Sequence, residues 1–381
     1  MAVPEPHAER FGQLDALRGL AALAVFLGHS LGMLQPAPYA HGPVEWFMHS
    51  PFRLVVAGHQ AVIFFFVISG FVLSLGFYSR KSSAWPFLVS RIFRLYPPYL
   101  AALAVVALLR LRVVMEPLDG FSTWINGFWL MPLKLGQLWP AVTMLADTHG
   151  GQLNPAAWSL IIEMRVSLFF PIVMILLLRF GWVRGLAFTV VLGCLAAIPS
   201  TSATDLYATL QYGVFFVMGA VLAQHRDALV SRCRSFSVIV QLGILAIAAL
   251  LYTQSFWLAP ASRLHVQPLD DLVAALGAAI LIVVALGAPG AAILLPQPLR
   301  RLGKGAYSFY LYHFLVLLTV AHVLQRHAAI WQMWLLALVV TFLLSTLMYR
   351  VVEVPSIAAG HYFARRLNAA RNPVAPLRQA A

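Results

Sequence analysis

Long apolar runs broken by short polar stretches occupy the chain from residue 14 to residue 350. The first, LDALRGLAALAVFLGHSLGML over 14–34, is rich in Leu and Ala, with Asp15 placed to cap its start. About 20 residues rising 1.5 Å each cross a hydrocarbon layer about 30 Å thick. Similar runs predict spans at 54–77, 95–112, 155–178, 185–200, 207–224, 236–252, 269–287, 305–325 and 329–350. Pro97 and Pro98 would do no harm in a first turn, so the third span is placed to begin near Leu95, with a basic loop before it. The fold class expected is therefore all-α: a polytopic membrane helical bundle of about ten transmembrane helices over 14–350. Residues 1–13 and 351–381 are expected to be tails.

The stretch 113–154 breaks this pattern. Trp124, Phe128, Trp129, Trp139 and Met144 are scattered among Pro117, Pro132, Pro140 and several glycines. Such a mixture suits a folded segment lying over the bundle or dipping into it.

Charge assigns the sides. Of the 26 Lys and Arg, the predicted topology puts 19 on the side of the termini. Six, namely Arg53, Arg110, Arg112, Lys134, Arg263 and Arg326, fall opposite, and Arg165 falls within a helix. The positive-inside rule then makes both termini cytoplasmic and 113–154 extracytoplasmic. Only 10% of the residues are charged and 61% are hydrophobic, against about 25% charged in soluble domains. A soluble fold is excluded. The net charge of +13 fits loops against an anionic leaflet, not a nucleic-acid partner. The first run follows a mixed segment with Glu9 and Arg10 and precedes many others, so it does not read as a cleaved signal peptide. Cys194 and Cys233 offer neither metal-ligand spacing nor a disulfide framework, and no metal site is expected.

Ionisable groups inside spans are the candidate chemistry. His29 lies about 8 Å from the outer end of the first span and Glu163 about 12 Å from the outer start of the fourth. A carboxylate on one ring nitrogen of a histidine leaves the other free to take a proton. Glu163 is therefore expected to orient or polarise His29; the plainer reading is that Glu163 pairs with an arginine in the bundle. Towards the cytoplasm, Arg18, Arg91 and Arg94 gather near the level of Ser69. Guanidinium groups bind phosphate well, though surface charges obeying the positive-inside rule would occupy the same side. A phosphate site joined to an outer histidine fits a long, thin donor.

These residues carry a resemblance. From about 11 to 356 the chain resembles the membrane acyltransferase-3 family, bacterial O-acyltransferases of surface polysaccharides, lipids and some small molecules. The family's opening Arg and His match Arg18 and His29 in RGLAALAVFLGH. Its second-helix signature matches FFFVISGF with Ser69, Gly70 and Phe71, and its basic pair matches Arg91 and Arg94 in SRIFRLYPPYL. Its Trp-Ser-Leu-x-x-Glu matches Trp158, Ser159, Leu160 and Glu163, and YSFYLYH supplies Tyr307, Tyr310 and His313. The ending YRVVEVP keeps Glu353 and Pro355 but has Val354 where the family has Arg. An esterase-like domain, carried by many relatives after the last helix, is not expected here.

The resemblance implies residence in the bacterial inner membrane and acyl-CoA, commonly acetyl-CoA, as cytoplasmic co-substrate, with no permanently bound cofactor. The acceptor implied is a hydroxyl of a carbohydrate or glycolipid, as in cell-envelope or exported polysaccharide. It implies His29 and Glu163 as catalytic residues and Arg18, Arg91, Arg94 and Ser69 as donor-binding residues. The ISGF sequence is too short and apolar for a nucleotide-binding loop. The competing reading is a transporter or flippase for a lipid-linked or glycosylated substrate, with His29 and Glu163 as a proton relay. The two halves show no clear repeat, which such transporters often carry.

Overall fold

A backbone in lipid must satisfy its amides internally, and a helix does so within one segment. The computed structural model describes residues 11–34, 43–79, 83–112, 116–129, 135–144, 153–198, 206–257, 267–291, 295–325 and 327–371. Among the described residues every regular element is helical, apart from one antiparallel bridge between Leu34 and Phe121. The expected tail up to residue 10, the outer loop at 258–266 and the end of the chain from 372 lie outside the described residues.

Among the described residues ten helices make the bundle: α1 Gly12–Gly32, α2 Gly58–Tyr78, α3 Ala84–Arg112, α4 Ala157–Phe180, α5 Trp182–Ala197, α6 Leu206–Gln224, α7 Val238–Trp257, α8 Gln267–Gly287, α9 Ala306–Leu324 and α10 Ile330–Met348. All but α5 are long and apolar enough to cross a membrane, with α10 counted together with its continuation; α5 is apolar but only 16 residues long. Ile198 and Ile239 are each 81% exposed and Leu343 68%, an apolar surface that only lipid covers without penalty. The chain is a multi-pass membrane protein of the inner-membrane, helical type. At its centre runs α9, buried at every position from Ser308 to Leu318.

Two expectations are corrected. The third helix begins at Ala84, not near Leu95, so Pro97 and Pro98 sit inside it. Pro97 and Pro98 free the carbonyls four residues back, at Phe93 and Arg94, and the Tyr307 hydroxyl donates to the next carbonyl, that of Leu95 (2.7 Å). Arg91 is therefore helical and buried, not part of a basic loop. Past α10 the chain continues as a π-helical turn, Tyr349–Glu353, followed by α11, Val354–Arg371. This last helix packs back on α3, with the rings of Phe93 and Phe363 stacked at 5.4 Å.

The outer segment folds onto the end of α1. Ser122 donates its hydroxyl to the Gly32 carbonyl and its amide to the Met33 carbonyl, both at 2.7 Å. Tyr96 and Tyr99 donate to the carbonyls of Val142 and Ala141 in the short helix Leu135–Thr143.

Helices α2 and α6 bring their backbones into direct contact at two glycines. A methyl group on Gly70 would overlap the backbone of Phe216, and one on Gly219 would overlap the backbone of Val67. Small residues let membrane helices approach this closely. Gly70→Leu is expected to lower stability by about 1–3 kcal/mol or more, read as a drop in the thermal midpoint in detergent; an unchanged midpoint would show that the crossing can open without cost.

Candidate active site

His29 lies in the last turn of α1 and His313 midway along α9. Their rings stack at 5.0 Å, with His29 Nδ1 and His313 Nε2 2.8 Å apart. His313 Nδ1 is 2.7 Å from the Tyr310 carbonyl oxygen. A carbonyl only accepts, so His313 Nδ1 carries the hydrogen and donates it. In the neutral ring His313 Nε2 then holds a lone pair, and His29 Nδ1 must donate to it. His29 is thereby held in the tautomer whose Nε2 is unprotonated. Among the described residues that nitrogen has no hydrogen-bond partner, and His29 is partly exposed whereas His313 is fully buried.

Aromatic rings enclose this nitrogen base. Trp124, from the outer segment, lies 5.4 Å from the His29 ring, and Phe314 meets His29 edge-on at 5.5 Å. Phe128 packs on the other side of Phe314. One turn before His313, the hydroxyls of Tyr310 and Ser159 are hydrogen-bonded at 2.8 Å. Asn154 ties the start of α4 to the same stretch by donating to the Leu311 carbonyl.

Glu163 is elsewhere. Its carboxylate pairs with Arg91 at 2.5 Å and accepts from Ser69 at 3.4 Å, while Arg91 Nε donates to Ser167. The side chains of Arg91 and Glu163 are 9% and 17% exposed, so the pair lies inside the bundle. The expected contact between Glu163 and His29 is thus corrected: a second imidazole holds His29, and an arginine holds the carboxylate. Ser69 likewise faces Glu163. Arg18, about 16 Å from His29 along α1, reaches Asp15 at 3.4 Å. It interacts electrostatically with Arg91, Arg94 and Glu163, as Arg94 does with Glu353. The π-helical turn brings Glu353 inward, where it accepts from Ser308 at 2.6 Å; such turns often mark functional sites. The four basic and hydroxyl residues expected to bind the donor therefore lie in one inner region, apart from the histidine pair.

His313 was quoted in a motif but not given this role. His29 and His313 are 284 residues apart in the chain. Counted from the helix ends at Gly32 and Leu324, they would lie about 5 Å and about 16 Å deep. Helices whose ends are not level make that ruler fail. A second histidine inside a span was the available signal.

A paired imidazole under an aromatic cover, with a separate buried basic region in a membrane bundle, fits a membrane-embedded group-transfer enzyme. The chain belongs to the acyltransferase-3 family, whose acyltransferase-domain model matches residues 11–350. It is an acyltransferase, and the family supports acyl-CoA-dependent transfer to a carbohydrate-related acceptor. Nodulation protein 10 of Rhizobium leguminosarum bv. viciae is 26% identical over 93% of this chain and 96% of its own. Acyltransferase MdmB of Streptomyces mycarofaciens is 31% identical over 169 residues, 44% of this chain, and the match spans 40% of that protein. Protein 2 in picA locus of Rhizobium radiobacter is 31% identical over 42% of this chain and 80% of its own. No solved structure matches.

Removing one member of a buried ion pair costs about 3–5 kcal/mol, whereas replacing both by apolar groups is often neutral. Glu163→Gln is expected to lower the thermal midpoint strongly, and the double replacement Arg91→Leu with Glu163→Leu to recover most of it. Equal midpoints for the single variant and the wild type would show that the pair does not hold the bundle.

Proposed function

We propose that this protein moves an acyl group, acetyl in the first instance, from cytoplasmic acyl-CoA to a hydroxyl of a carbohydrate-containing acceptor on the far side of the membrane. Cell-envelope or exported polysaccharide is the acceptor class this reading favours. The observation that carries it is His29 Nε2, left unprotonated by the chain through His313 to the Tyr310 carbonyl and without a partner among the described residues.

His29 acts as general base. Its Nε2 takes the proton of the acceptor hydroxyl as the oxygen attacks the thioester carbonyl. The tetrahedral intermediate collapses by breaking the carbon–sulfur bond, and the CoA thiolate recovers the proton from His29. Arg18 and Arg94 bind the phosphates of the donor. Arg91, already neutralised by Glu163, and Ser69 shape the path of the donor arm. Glu163 serves the reaction by holding Arg91 in place. The span of about 16 Å between Arg18 and His29 along α1 is of the order of an extended pantetheine arm.

Replacing a general base reduces turnover by about 10²–10⁴-fold. Purified His29→Ala is expected to lose acceptor-dependent acyl-CoA consumption by that factor while keeping its affinity for acyl-CoA. Full turnover in this variant would make His29 structural. Incubation with radiolabelled acyl-CoA and no acceptor separates direct transfer from an acyl-histidine intermediate. Direct transfer predicts no label trapped on the protein, and label lost on His29→Gln would establish the covalent route instead.

The donor side has its own test. Arg18→Ala and Arg94→Ala are expected to raise the Kd for acyl-CoA by about ten-fold or more each, the worth of one charge-assisted phosphate contact. Unchanged Kd in both variants would return these residues to the role of interfacial anchors.

A further inference from the structure

A second polar cluster lies where the first turns of α2 and α8 meet the last turn of α7. It shares an end of the bundle with His29, because Gly28 packs directly on Val56 and Gly58. His59 Nε2 donates to Asp271 Oδ1 at 2.8 Å. Asp271 is 2% exposed, yet its Oδ2 is buried without a hydrogen-bond partner. Beside it Gln60, 4% exposed, donates its amide to Ser255 and leaves its own Oε1 unpartnered. Gln254 donates to the neighbouring Asp270. The His59 side chain is 36% exposed, and with Nε2–H on the carboxylate its Nδ1 holds a lone pair. Tyr212 meets His59 edge-on at 6.4 Å and lies 5.3 Å from Trp158.

Buried polar atoms without partners are uncommon and costly. Asp271 Oδ2 and Gln60 Oε1, both buried and unpartnered, and Nδ1 of the partly exposed His59 all accept, while Trp257 Nε1, at the end of α7, is a buried donor without a partner; a hydroxyl both donates and accepts. A partner that satisfies them must bring O–H donors. A phosphate or carboxylate would bring acceptors and meet the charge of Asp271. The half-buried Trp158, backed by the buried Tyr212, supplies an aromatic wall of the kind that suits the C–H face of a pyranose ring. Trp158 adjoins Ser159, which is bonded to Tyr310, and Tyr310 holds His313. The cluster is thus continuous with the histidine pair.

We propose that His59, Asp271 and Gln60 form a subsite for the hydroxyls of a neutral sugar, walled by Tyr212 and Trp158, which positions the acceptor beside His29. That the sugar is the acceptor rests on the acyl-transfer reading above; the binding itself does not. His59 is a positioning residue, oriented by Asp271.

The test is titration of the full-length protein in nanodiscs with chitotetraose, cellotetraose and maltotetraose, read by tryptophan fluorescence, with tetragalacturonate as the anionic control. At least one neutral tetrasaccharide is expected to give a saturating change and the control none. Asp271→Asn turns one acceptor into a donor, and Gln60→Leu removes another. Each is expected to weaken sugar binding by about ten-fold or more while acyl-CoA affinity stays within about two-fold. Gln60→Glu keeps the acceptors and is expected to keep binding. Retained acyl-CoA affinity shows that a variant is folded, and His59→Gln supplies a third variant if either of the others is not. No binding of any neutral tetrasaccharide by the wild type, or wild-type affinity in the variants, overturns the proposal. Sugar binding that depends on Asp271 in a protein that does not bind acyl-CoA would keep the subsite and sink the acyl-transfer reading instead.

Discussion

The hydrogen bond from His313 Nδ1 to the Tyr310 carbonyl fixes the protonation pattern of the histidine pair. A backbone carbonyl inside a helix cannot rotate or change protonation, so it dictates the tautomer of the imidazole that reaches it. That imidazole dictates the next, and His29 presents a lone pair at Nε2. A carboxylate in the place of His313 would orient His29 equally well, but a charge buried in that apolar surround is costly unless fully paired. A neutral acceptor avoids this. Glu163, a carboxylate inside the bundle, is matched by Arg91 and the Ser69 hydroxyl, while Ser167 accepts from Arg91. Acid–base chemistry and the buried charge are thereby kept on separate partners.

Irregular backbone gathers around these groups, while the regular helices face lipid. The Pro97–Pro98 step in α3 lies beside the carbonyl that Tyr307 binds. The π-helical turn after α10 delivers Glu353 to Ser308 on α9. The α2–α6 crossing, closed by Gly70 and Gly219, sets Ser69 within reach of Glu163. Each irregularity costs helical regularity at a place where a polar side chain is positioned. Local rules give way at working sites and are compensated by the surrounding packing.

Much of this architecture was legible because a lipid environment leaves few choices. Apolar length alone located the ten helices, since a backbone that enters the bilayer must be helical. One boundary was misplaced for a physical reason: water-soluble rules for proline and charge do not hold inside a bundle. Pro97 and Pro98 did not end α3, and Arg91 was not on the surface, because neighbours supply what solvent would otherwise provide. The inner basic group was legible in type, from Arg18, Arg91 and Arg94, but its pairing was not. Depth counted along separate helices placed Glu163 beside His29 and gave no sign of the contact between His29 and His313. Tilt and uneven helix ends, which decide those contacts, are properties of packing and have no periodic trace in the chain. His59 and Asp271 escaped notice for a related reason. They begin their helices, where polar residues are ordinary, and only the junction with α7 shows that they are buried together.

The tautomer of His29 is the most direct measure of this arrangement. Nitrogen-15 NMR of histidine-labelled protein in nanodiscs, with His29→Gln used to assign the resonance, reads which ring nitrogen carries the proton. The geometry predicts His29 protonated at Nδ1 and bare at Nε2 near neutral pH, with that preference lost in His313→Phe. A His29 protonated at Nε2 in the wild type, or a tautomer indifferent to His313, would contradict it.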